Sequence, residues 1–234
     1  GKNPVVVLED ADLDLAAEGI ISGAFGSTGQ RCTATSRAIL QNSIADAVIE
    51  RMKDRVSKWK IGNGLDPDVQ MGPLVSDQQL KTVERYIEIG KSEEAKLVMG
   101  GEKPTGLPRG YFFQPTIFDR VGADSRIARE EIFGPVLSVI RAKDYDEALR
   151  FANASEYGLT ASIYTNDAGK VFDFCERVET GMVHVNSPTV GGEAQIPFGG
   201  VKSSGVGERE QGPTVLDFYT DVKVVYIDYT GAAR

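Results

Sequence analysis

The stretch that decides the fold covers residues 4–32 and runs PVVVLEDADLDLAAEGIISGAFGSTGQRC. Its short apolar run at 5–8 is bounded by polar residues and predicts a buried strand. From Asp12 onward, apolar side chains recur at helical spacing until the sequence Gly-Ser-Thr-Gly at 26–29, which predicts a helix followed by a tight loop. Cys32 lies at the end of that loop. The stretch therefore indicates a strand and a helix, followed by a loop that presents a thiol.

The same alternation continues along the chain. Ser43 is placed to cap a second helix. Ser76 and Gln79 form a capping box, with Val75 and Leu80 at the positions of a hydrophobic staple, so a third helix is predicted to begin there. Further strands are predicted at 38–40, 97–99, 136–140, 160–164 and 182–185, and further helices after Asp144 and over 171–178. Repeated alternation predicts an α/β fold with a largely parallel sheet flanked by helices.

The last fifth of the chain differs in composition. After residue 185 the sequence is rich in glycine up to Gly207, which is typical of a loop that backbone or ligand approaches closely. Residues 217–228 are dominated by Val, Tyr and Phe without a helical stripe, and predict a long terminal strand that must pair with something. The predicted division is a main domain over residues 1–215 and a C-terminal oligomerisation strand and tail over 216–234.

Composition narrows the classes of function. The chain has 234 residues, 41% hydrophobic and 26% charged, and a net charge of -8. An acidic charge spread along the chain argues against binding nucleic acid or anionic membranes, and a small-molecule substrate fits better. No apolar run approaches the ~18 residues that span a bilayer, so the cytoplasm is the default compartment. With two cysteines and one histidine, no metal site is predicted.

Cys32 is the strongest candidate for chemistry. It follows a glycine-punctuated turn, and Gln30, Arg31 and backbone N–H groups could favour its thiolate. Cys175, in contrast, shares a predicted helical face with apolar side chains and is interpreted as a small buried hydrophobe.

His184 is the only imidazole that could act as a base for Cys32. It lies inside the predicted strand 182–185, where a packed histidine is commoner than a catalytic one. Without a histidine base, activation of Cys32 has to come from electrostatics or from a carboxylate-activated water. That combination suits oxidation of a thiohemiacetal to a thioester.

Three ordered motifs carry a resemblance that covers essentially the whole chain. They are Gly29-Gln30-Arg31-Cys32, the sequence EEIFGPV at 130–136, and the sequence PFGGVKSSG at 197–205. Together, in this order and spacing, they resemble the aldehyde dehydrogenase superfamily.

The resemblance implies a mechanism. The Cys32 thiolate attacks the aldehyde, a hydride passes to the nicotinamide of NAD or NADP, and water hydrolyses the resulting thioester to a carboxylic acid. It also implies that Glu131 hydrogen-bonds the nicotinamide ribose, for which a carboxylate is a suitable acceptor, and that Phe133 packs near that half of the cofactor. Without the motif, Glu131 would be interpreted as a surface carboxylate and Phe133 as core.

A substrate pocket follows from the same resemblance. Phe198 matches the family's aromatic pocket residue, and Gln30 and Thr33 flank the nucleophile. Arg31, with the sequence TATSR at 33–37, is similar to members that act on semialdehydes such as 2-oxoglutarate semialdehyde. An arginine could attract a carboxylate-bearing aldehyde, or it could only tune the thiolate.

The chain departs from the family in its extent. Family members are about twice as long, and Gly1-Lys2-Asn3-Pro4 resembles the end of a motif whose glutamate is the general base. The N-terminal cofactor-binding half and the oxyanion asparagine are not in this sequence either. The chain is therefore hypothesised to be a fragment or a separately expressed domain, with weak or absent NAD(P) binding and poor activity alone. Loss of the base costs roughly 10²- to 10⁴-fold.

The last expectations concern the oligomeric state of the protein and two alternative functions. In the family, the terminal strand joins an oligomerisation sheet, which predicts a homodimer or homotetramer. A non-catalytic assembly module, in which Cys32 has no role, is the first alternative function. A cysteine thioesterase or acyltransferase that uses His184 is the second.

Overall fold

Strands and helices alternate along the computed structural model, which describes residues 1–107 and 109–231. The strands are β1 (Asn3–Val7), β2 (Thr35–Gln41), β3 (Lys96–Met99), β4 (Thr116–Asp119), β5 (Val136–Ala142), β6 (Tyr157–Gly158), β7 (Thr160–Tyr164), β8 (Met182–Val185) and β9 (Val201–Lys202). The helices are α1 (Leu13–Phe25), α2 (Ala45–Val56), α3 (Asp77–Ser92), α4 (Arg126–Arg129), α5 (Tyr145–Asn153), α6 (Ala168–Arg177) and α7 (Val215–Tyr219).

Seven of the strands form one sheet in the order β3-β4-β5-β2-β1-β7-β8. Strands β3 and β4 are antiparallel, and every other neighbouring pair in this sheet is parallel. Strands β6 and β9 form a separate antiparallel pair. The prediction of an α/β fold with a largely parallel sheet is confirmed.

Helices cover both faces of this sheet, which explains the continuous apolar run at its centre. Val5 and Val7 of β1 pack in one hydrophobic cluster with α1 and α2, and Val6 packs in the other with α3, α5 and α6. Successive side chains of a strand point to opposite faces, so a strand covered on both sides has to be apolar throughout. No helix in residues 1–107 and 109–231 has the length and apolarity needed to cross a bilayer.

Side-chain caps confirm three of the predicted helix starts. Asp12, Ser76 and Asp144 each accept hydrogen bonds from backbone N–H groups in the first turn of α1, α3 and α5. The cap predicted at Ser43 is wrong, because its hydroxyl donates to Glu9 and α2 starts two residues later without a side-chain cap. The predicted hydrophobic staple is also wrong, since the residue at 75 is 78% exposed.

The C-terminal segment is not a paired strand in this structure. Residues 215–219 form the short helix α7, and the described residues 220–231 contain no strand. A strand needs a neighbour to satisfy its backbone N–H and C=O groups, and no strand of the described residues pairs with this segment. The large apolar side chains of 222–229 are exposed instead. A role of 216–234 in oligomerisation therefore stays a prediction.

The largest fully buried side chain belongs to Arg37 of β2, and it ties a helix end to the sheet. Its Nε donates to the carbonyl of Lys2 at 2.9 Å, and its two terminal nitrogens donate to the carbonyls of Phe151 at 2.8 Å and Ala152 at 2.9 Å. The last two carbonyls belong to the final turn of α5, where backbone donors run out, and the Phe151 carbonyl accepts in addition from the Ala154 N–H at 3.3 Å. Arg37 thus fixes the last turn of α5 to β2 and to the residue that precedes β1.

An Arg37→Met variant should unfold more easily because three carbonyls each lose the hydrogen bond that Arg37 donates. We expect the free energy of unfolding to fall by about 3 kcal/mol, on the order of 1 kcal/mol for each carbonyl, measured by urea denaturation. The matched control is Arg150→Met on the exposed face of α5, which breaks a surface ion pair with Glu147 and should cost less than about 1 kcal/mol. Equal urea midpoints for the two variants would contradict this account of Arg37.

Candidate active site

The candidate site lies where the amino ends of three neighbouring parallel strands meet. Cys32 precedes β2, the Glu131 loop precedes β5, and Asn3 begins β1. Strands β5, β2 and β1 are adjacent in the sheet, so the segments that enter them lie side by side at one edge. The topology alone therefore brings the nucleophile motif and the EEIFGPV motif together, although they are about a hundred residues apart in sequence.

A tight turn positions the loop that carries Cys32. Ser27, Thr28 and Gly29 have φ angles of 51°, 59° and 66°, in the left-handed region. A Cβ atom at Gly29 would lie 2.3 Å from the carbonyl oxygen of Gly134, so only glycine allows the two loops to approach this closely. The thiol of Cys32 itself is exposed.

Asn3 holds the same loop from the other side. Its buried amide nitrogen donates to the carbonyl of Cys32 at 2.9 Å and to the carbonyl of Ala34 at 2.8 Å. The backbone of the nucleophile is thereby fixed to the first strand of the sheet. Sequence reasoning missed this residue, although a polar side chain directly before an apolar strand was the available signal.

The two glutamates of the EEIFGPV motif have different environments. The Glu130 carboxylate accepts from Arg126 at 2.8 and 2.9 Å and from the Tyr86 hydroxyl at 2.8 Å. The Arg126 and Tyr86 hydrogen bonds lower the pKa of Glu130 to about 2. The Glu131 carboxylate contacts the backbone nitrogen of Gly1 and leaves 33% of its side chain exposed. Of the two, Glu131 is the one with acceptor capacity left over for a ligand.

Phe133 follows on the same loop in a conformation that is rare for a bulky residue. Its φ is 57°, which costs about 1–2 kcal/mol for a residue with a Cβ. Its ring is 41% exposed, so burial does not repay that cost. Strain at an exposed aromatic residue points to a role in binding.

One small cleft joins the two loops. It has a volume of about 20 Å³, room for at most a water molecule, and it brings together residues of both motifs. Its lining includes Gly29, Arg31, Ala34, Glu131 and Phe133. The structure therefore places the predicted Arg31, Glu131 and Phe133 around one opening beside Cys32.

Three of the predicted pocket residues flank Cys32 in sequence, and each has a different environment. The side chain of Gln30 accepts from the Val75 N–H at 3.0 Å, so Gln30 braces the loop, and Arg31 is exposed. Thr33 is half-buried, and its carbonyl accepts at 2.8 Å from the hydroxyl of Thr189, which is buried and was not predicted.

Phe198 lies apart from this cleft. It pairs with Glu210 in an isolated antiparallel bridge and lines a separate cavity of about 330 Å³ together with Leu159 and Phe218. The structure does not bring Phe198 into the cleft beside Cys32. Its role in the substrate pocket stays a prediction.

His184 is not placed to serve as a base for Cys32. It lies in β8, three strands from β2, which is roughly 14 Å at about 4.8 Å per strand. Partial burial lowers the pKa of His184 below its usual range. This geometry gives no support to a cysteine thioesterase that uses His184.

The prediction that Cys175 is buried is wrong. Helix α6 turns Phe174 into the core, and Cys175, one residue or about 100° further round the helix, is exposed. Within the described ranges, no three His, Cys, Asp or Glu side chains are grouped closely enough to hold a metal ion.

Sequence comparison shows which known proteins this chain resembles. The family model described as the aldehyde dehydrogenase family matches residues 1–225. The chain is 47% identical over 229 residues to the alpha-ketoglutaric semialdehyde dehydrogenase of Bacillus subtilis, covering 97% of this chain and 47% of that protein. It is 50% identical over 227 residues to the 2,5-dioxopentanoate dehydrogenase of Saccharolobus solfataricus, with coverages of 97% and 47%.

Solved structures of longer proteins share the fold of this chain. An NAD-dependent aldehyde dehydrogenase from Sinorhizobium meliloti superposes with a TM-score of 0.93 at 38% identity, over 100% of this chain and 46% of that one. The betaine aldehyde dehydrogenase of Staphylococcus aureus in complex with NAD+ gives a TM-score of 0.89 at 38% identity, with coverages of 94% and 43%. The chain spans about half the length of the curated relatives it matches. On the match to the family model, it belongs to the aldehyde dehydrogenase family.

Proposed function

We propose that this chain carries the nucleophile of an NAD-dependent aldehyde dehydrogenase that oxidises an aldehyde to a carboxylic acid. The observation that carries the proposal is the exposed Cys32 thiol on a loop fixed by Asn3 and packed, at Gly29, against the loop of Glu131 and Phe133. Cofactor and nucleophile have to meet within one site for hydride transfer, and these two loops share one edge of the sheet.

The chain's own residues account for the covalent steps. The Cys32 thiolate forms a bond to the aldehyde carbon, and the carbonyl oxygen takes up the negative charge. In the described part of the chain the backbone N–H of Cys32 has no acceptor, so it is available to stabilise that charge. Bound NAD supplies the acceptor for the hydride, which leaves an acyl group on Cys32. Water then cleaves the thioester, releasing the acid and the thiol, and the sum is aldehyde, NAD+ and water giving acid, NADH and a proton.

The residues present fit the nicotinamide half of the cofactor in their chemistry. A carboxylate with free acceptor capacity, as in Glu131, suits a ribose diol, and the exposed ring of Phe133 offers a flat apolar surface. The cleft between the loops is too small to enclose a ligand of this size. We propose that most of the cofactor's contacts come from a partner segment, the N-terminal cofactor-binding half, so that binding by this chain alone is weak or absent. The choice of NAD or NADP would belong to that half.

For the substrate, we propose a carboxylate-bearing semialdehyde such as 2-oxoglutarate semialdehyde, which is 2,5-dioxopentanoate. The support is the exposed guanidinium of Arg31 directly before Cys32, and the substrate names of the relatives from Bacillus and Saccharolobus. Arginine can hold a carboxylate through two parallel hydrogen bonds.

The test uses the gene product that carries this sequence, expressed from its own start codon. We expect NAD+-dependent oxidation of 2,5-dioxopentanoate with a higher kcat/KM than betaine aldehyde or an uncharged aliphatic aldehyde. An Arg31→Gln variant should lower kcat/KM for 2,5-dioxopentanoate by ~10-fold or more, because a charge-assisted contact contributes about 1.5–3 kcal/mol, and should leave the uncharged aldehyde unaffected. An equal loss for both substrates would show that Arg31 acts on the thiol and not on the substrate.

The two other functions remain as outcomes of the same experiment. A non-catalytic assembly module predicts no oxidation of any aldehyde and no rapid alkylation of Cys32 by iodoacetamide. Because Cys175 is also exposed, the alkylation has to be measured for each cysteine by peptide mass spectrometry. A thioesterase predicts ester hydrolysis without NAD+ that is lost in a His184→Gln variant.

A further inference from the structure

We propose that Asn3 and Thr189 are positioning residues for the nucleophile, because their side chains together hold the backbone of the turn that carries Cys32. The inference rests on the proposed function and adds two residues that lie outside the three motifs. Asn3 begins β1 and Thr189 follows β8, so the two side chains reach the turn from segments far apart in sequence.

Side chains, and not backbone pairing, hold the carbonyls next to the nucleophile. Residues 31–34 form a turn that is closed by one backbone hydrogen bond of 3.1 Å. Among the described residues, no backbone N–H donates to the carbonyl of Cys32 or of Thr33. The Cys32 carbonyl accepts from Nδ2 of Asn3 at 2.9 Å. The Thr33 carbonyl accepts from Oγ1 of Thr189 at 2.8 Å, so the peptide units that follow the thiol are fixed by these two donors.

A proton count gives the direction of the hydroxyl contacts. The Thr189 hydroxyl has one proton, and it donates this proton to the Thr33 carbonyl, which can only accept. The Thr35 hydroxyl lies 2.8 Å from the Thr189 hydroxyl and is therefore the donor in that contact. Thr35 and Thr189 are 2% and 1% exposed, so solvent water cannot replace a lost donor. The loss of the Thr189 hydroxyl would leave both the Thr33 carbonyl and the Thr35 hydroxyl without this partner.

Both positioning residues are themselves fixed to the sheet. Asn3 is buried at the start of β1, and its Nδ2 also donates to the Ala34 carbonyl at 2.8 Å. The segment before Thr189 is tied to β7, because the Ser162 hydroxyl donates to the Ser187 carbonyl at 2.6 Å. Strand β1 lies between β2 and β7 in the sheet. The position of the nucleophile is therefore set by the sheet and not by its own turn alone.

The chemical step is the one that depends on this hold. Attack requires the sulfur to lie about 3–3.5 Å from the aldehyde carbon in the correct direction, and a small displacement slows the reaction strongly. Without either donor, the peptide units around Thr33 can rotate, and the thiol and the N–H of Cys32 move with them. The loop of Glu131 and Phe133 does not depend on these two donors, so cofactor binding should be unchanged.

The test compares Thr189→Val, Thr189→Ser and Asn3→Leu with Thr160→Val in the gene product that carries this sequence. Valine keeps the shape of threonine and removes the hydroxyl, whereas serine keeps the hydroxyl. Leucine has about the size of asparagine and no donor. Thr160 is the matched control, a fully buried threonine of β7 whose hydroxyl has no hydrogen-bond partner among the described residues.

The first turnover gives the main readout, because it reports the chemical step. We expect the rate of the first NADH formation with 2,5-dioxopentanoate, measured by rapid mixing, to fall by ~10-fold or more in Thr189→Val and in Asn3→Leu, as the loss of a buried hydrogen bond implies. Thr189→Ser should stay within threefold of the wild type and Thr160→Val within twofold. Kd for NAD+, measured by calorimetry, should stay within twofold in all four variants, which a general loosening of the fold would not produce.

Amide hydrogen exchange tests the hold without any turnover. In the cofactor-free protein, the amides of 32–34 should exchange faster in Thr189→Val than in Thr189→Ser. Helix α1 and strands β1 and β7 should exchange as in the wild type. Equal exchange at 32–34 in these two variants would contradict the role of the hydroxyl.

The outcomes separate the two levels of inference. Wild-type protein that forms no NADH with any aldehyde would overturn the proposed function. If the wild type forms NADH and Thr189→Val forms it at the same rate, the role of Thr189 falls while the proposed function stands. Thr189→Ser as slow as Thr189→Val would also overturn the role, because it would assign the effect to packing. If Thr189→Val does not fold, Thr189→Ala takes its place, and equal rates for the alanine and serine variants overturn the role.

Discussion

Replacing Cys32 by alanine should abolish aldehyde oxidation. Every proposed step after substrate binding passes through the Cys32 sulfur, and removal of a covalent nucleophile lowers kcat by roughly 10⁴-fold or more. The fold should be unaffected because the side chain is exposed. The measurement is NADH formation by the gene product under saturating aldehyde and NAD+, with calorimetry showing that Cys32→Ala still binds NAD+.

Cys175→Ala is the matched control, since Cys175 is the second exposed thiol of the chain. It should retain full activity. A Cys32→Ala variant with more than a tenth of wild-type activity would show that another group does the chemistry. A loss of activity in Cys175→Ala would indicate that Cys175, and not Cys32, is the nucleophile.

Gly29→Ala is expected to damage both the fold and the activity. A Cβ there would lie 2.3 Å from the carbonyl oxygen and 2.7 Å from the carbonyl carbon of Gly134, and the residue has a φ of 66°. Both neighbours are backbone atoms, so the two loops have to move apart. We expect the free energy of unfolding to fall by about 2–4 kcal/mol from overpacking and backbone strain. A displacement of about 1 Å between nucleophile and cofactor can cost on the order of 10²-fold in kcat.

Gly26→Ala separates this effect from a general intolerance of the turn. Gly26 lies in the same turn with a φ of -54°, and no atom lies within 4 Å of the place that a Cβ would occupy there. Thermal unfolding and kcat of Gly26→Ala should stay close to the wild type. If the Gly29 variant behaves in the same way as the Gly26 variant, close packing of the two loops is not needed for activity.

The main sheet could be predicted from the sequence because its signals are local. Apolar runs such as 5–8 and 136–140 mark strands covered on both faces, and Asp12, Ser76 and Asp144 mark helix starts through short-range hydrogen bonds. These signals lie within a few residues of the element they define.

Elements that depend on distant partners could not be predicted. Strand β4 follows a long loop and was not predicted; its four residues form a strand because β3 and β5 pair with them. Residues 220–229 have the composition of a strand, but no strand pairs with them in the part of the chain that the structure describes. Cys175 was assigned to the core from its neighbours' composition, whereas the rotation of α6 decides its exposure.

The candidate site was recognisable from motifs, while its supporting contacts were not. Cys32, Glu131 and Phe133 lie in ordered sequence patterns, and the structure places them at one sheet edge. Asn3, Gln79 and Thr189 act through hydrogen bonds to backbone groups 29 to 156 residues away in sequence. Such contacts follow from the arrangement of the whole sheet and its helices and not from any local pattern.

The central claim is that Cys32 becomes acylated during aldehyde oxidation. The most direct measurement is to mix the gene product with 2,5-dioxopentanoate and NAD+, quench in acid before one turnover is complete, and analyse the peptides by mass spectrometry. We expect an acyl adduct on the peptide that contains Cys32, none on the peptide of Cys175, and no adduct when NAD+ is omitted. NADH formation without an adduct on Cys32, or with one on Cys175, would contradict it.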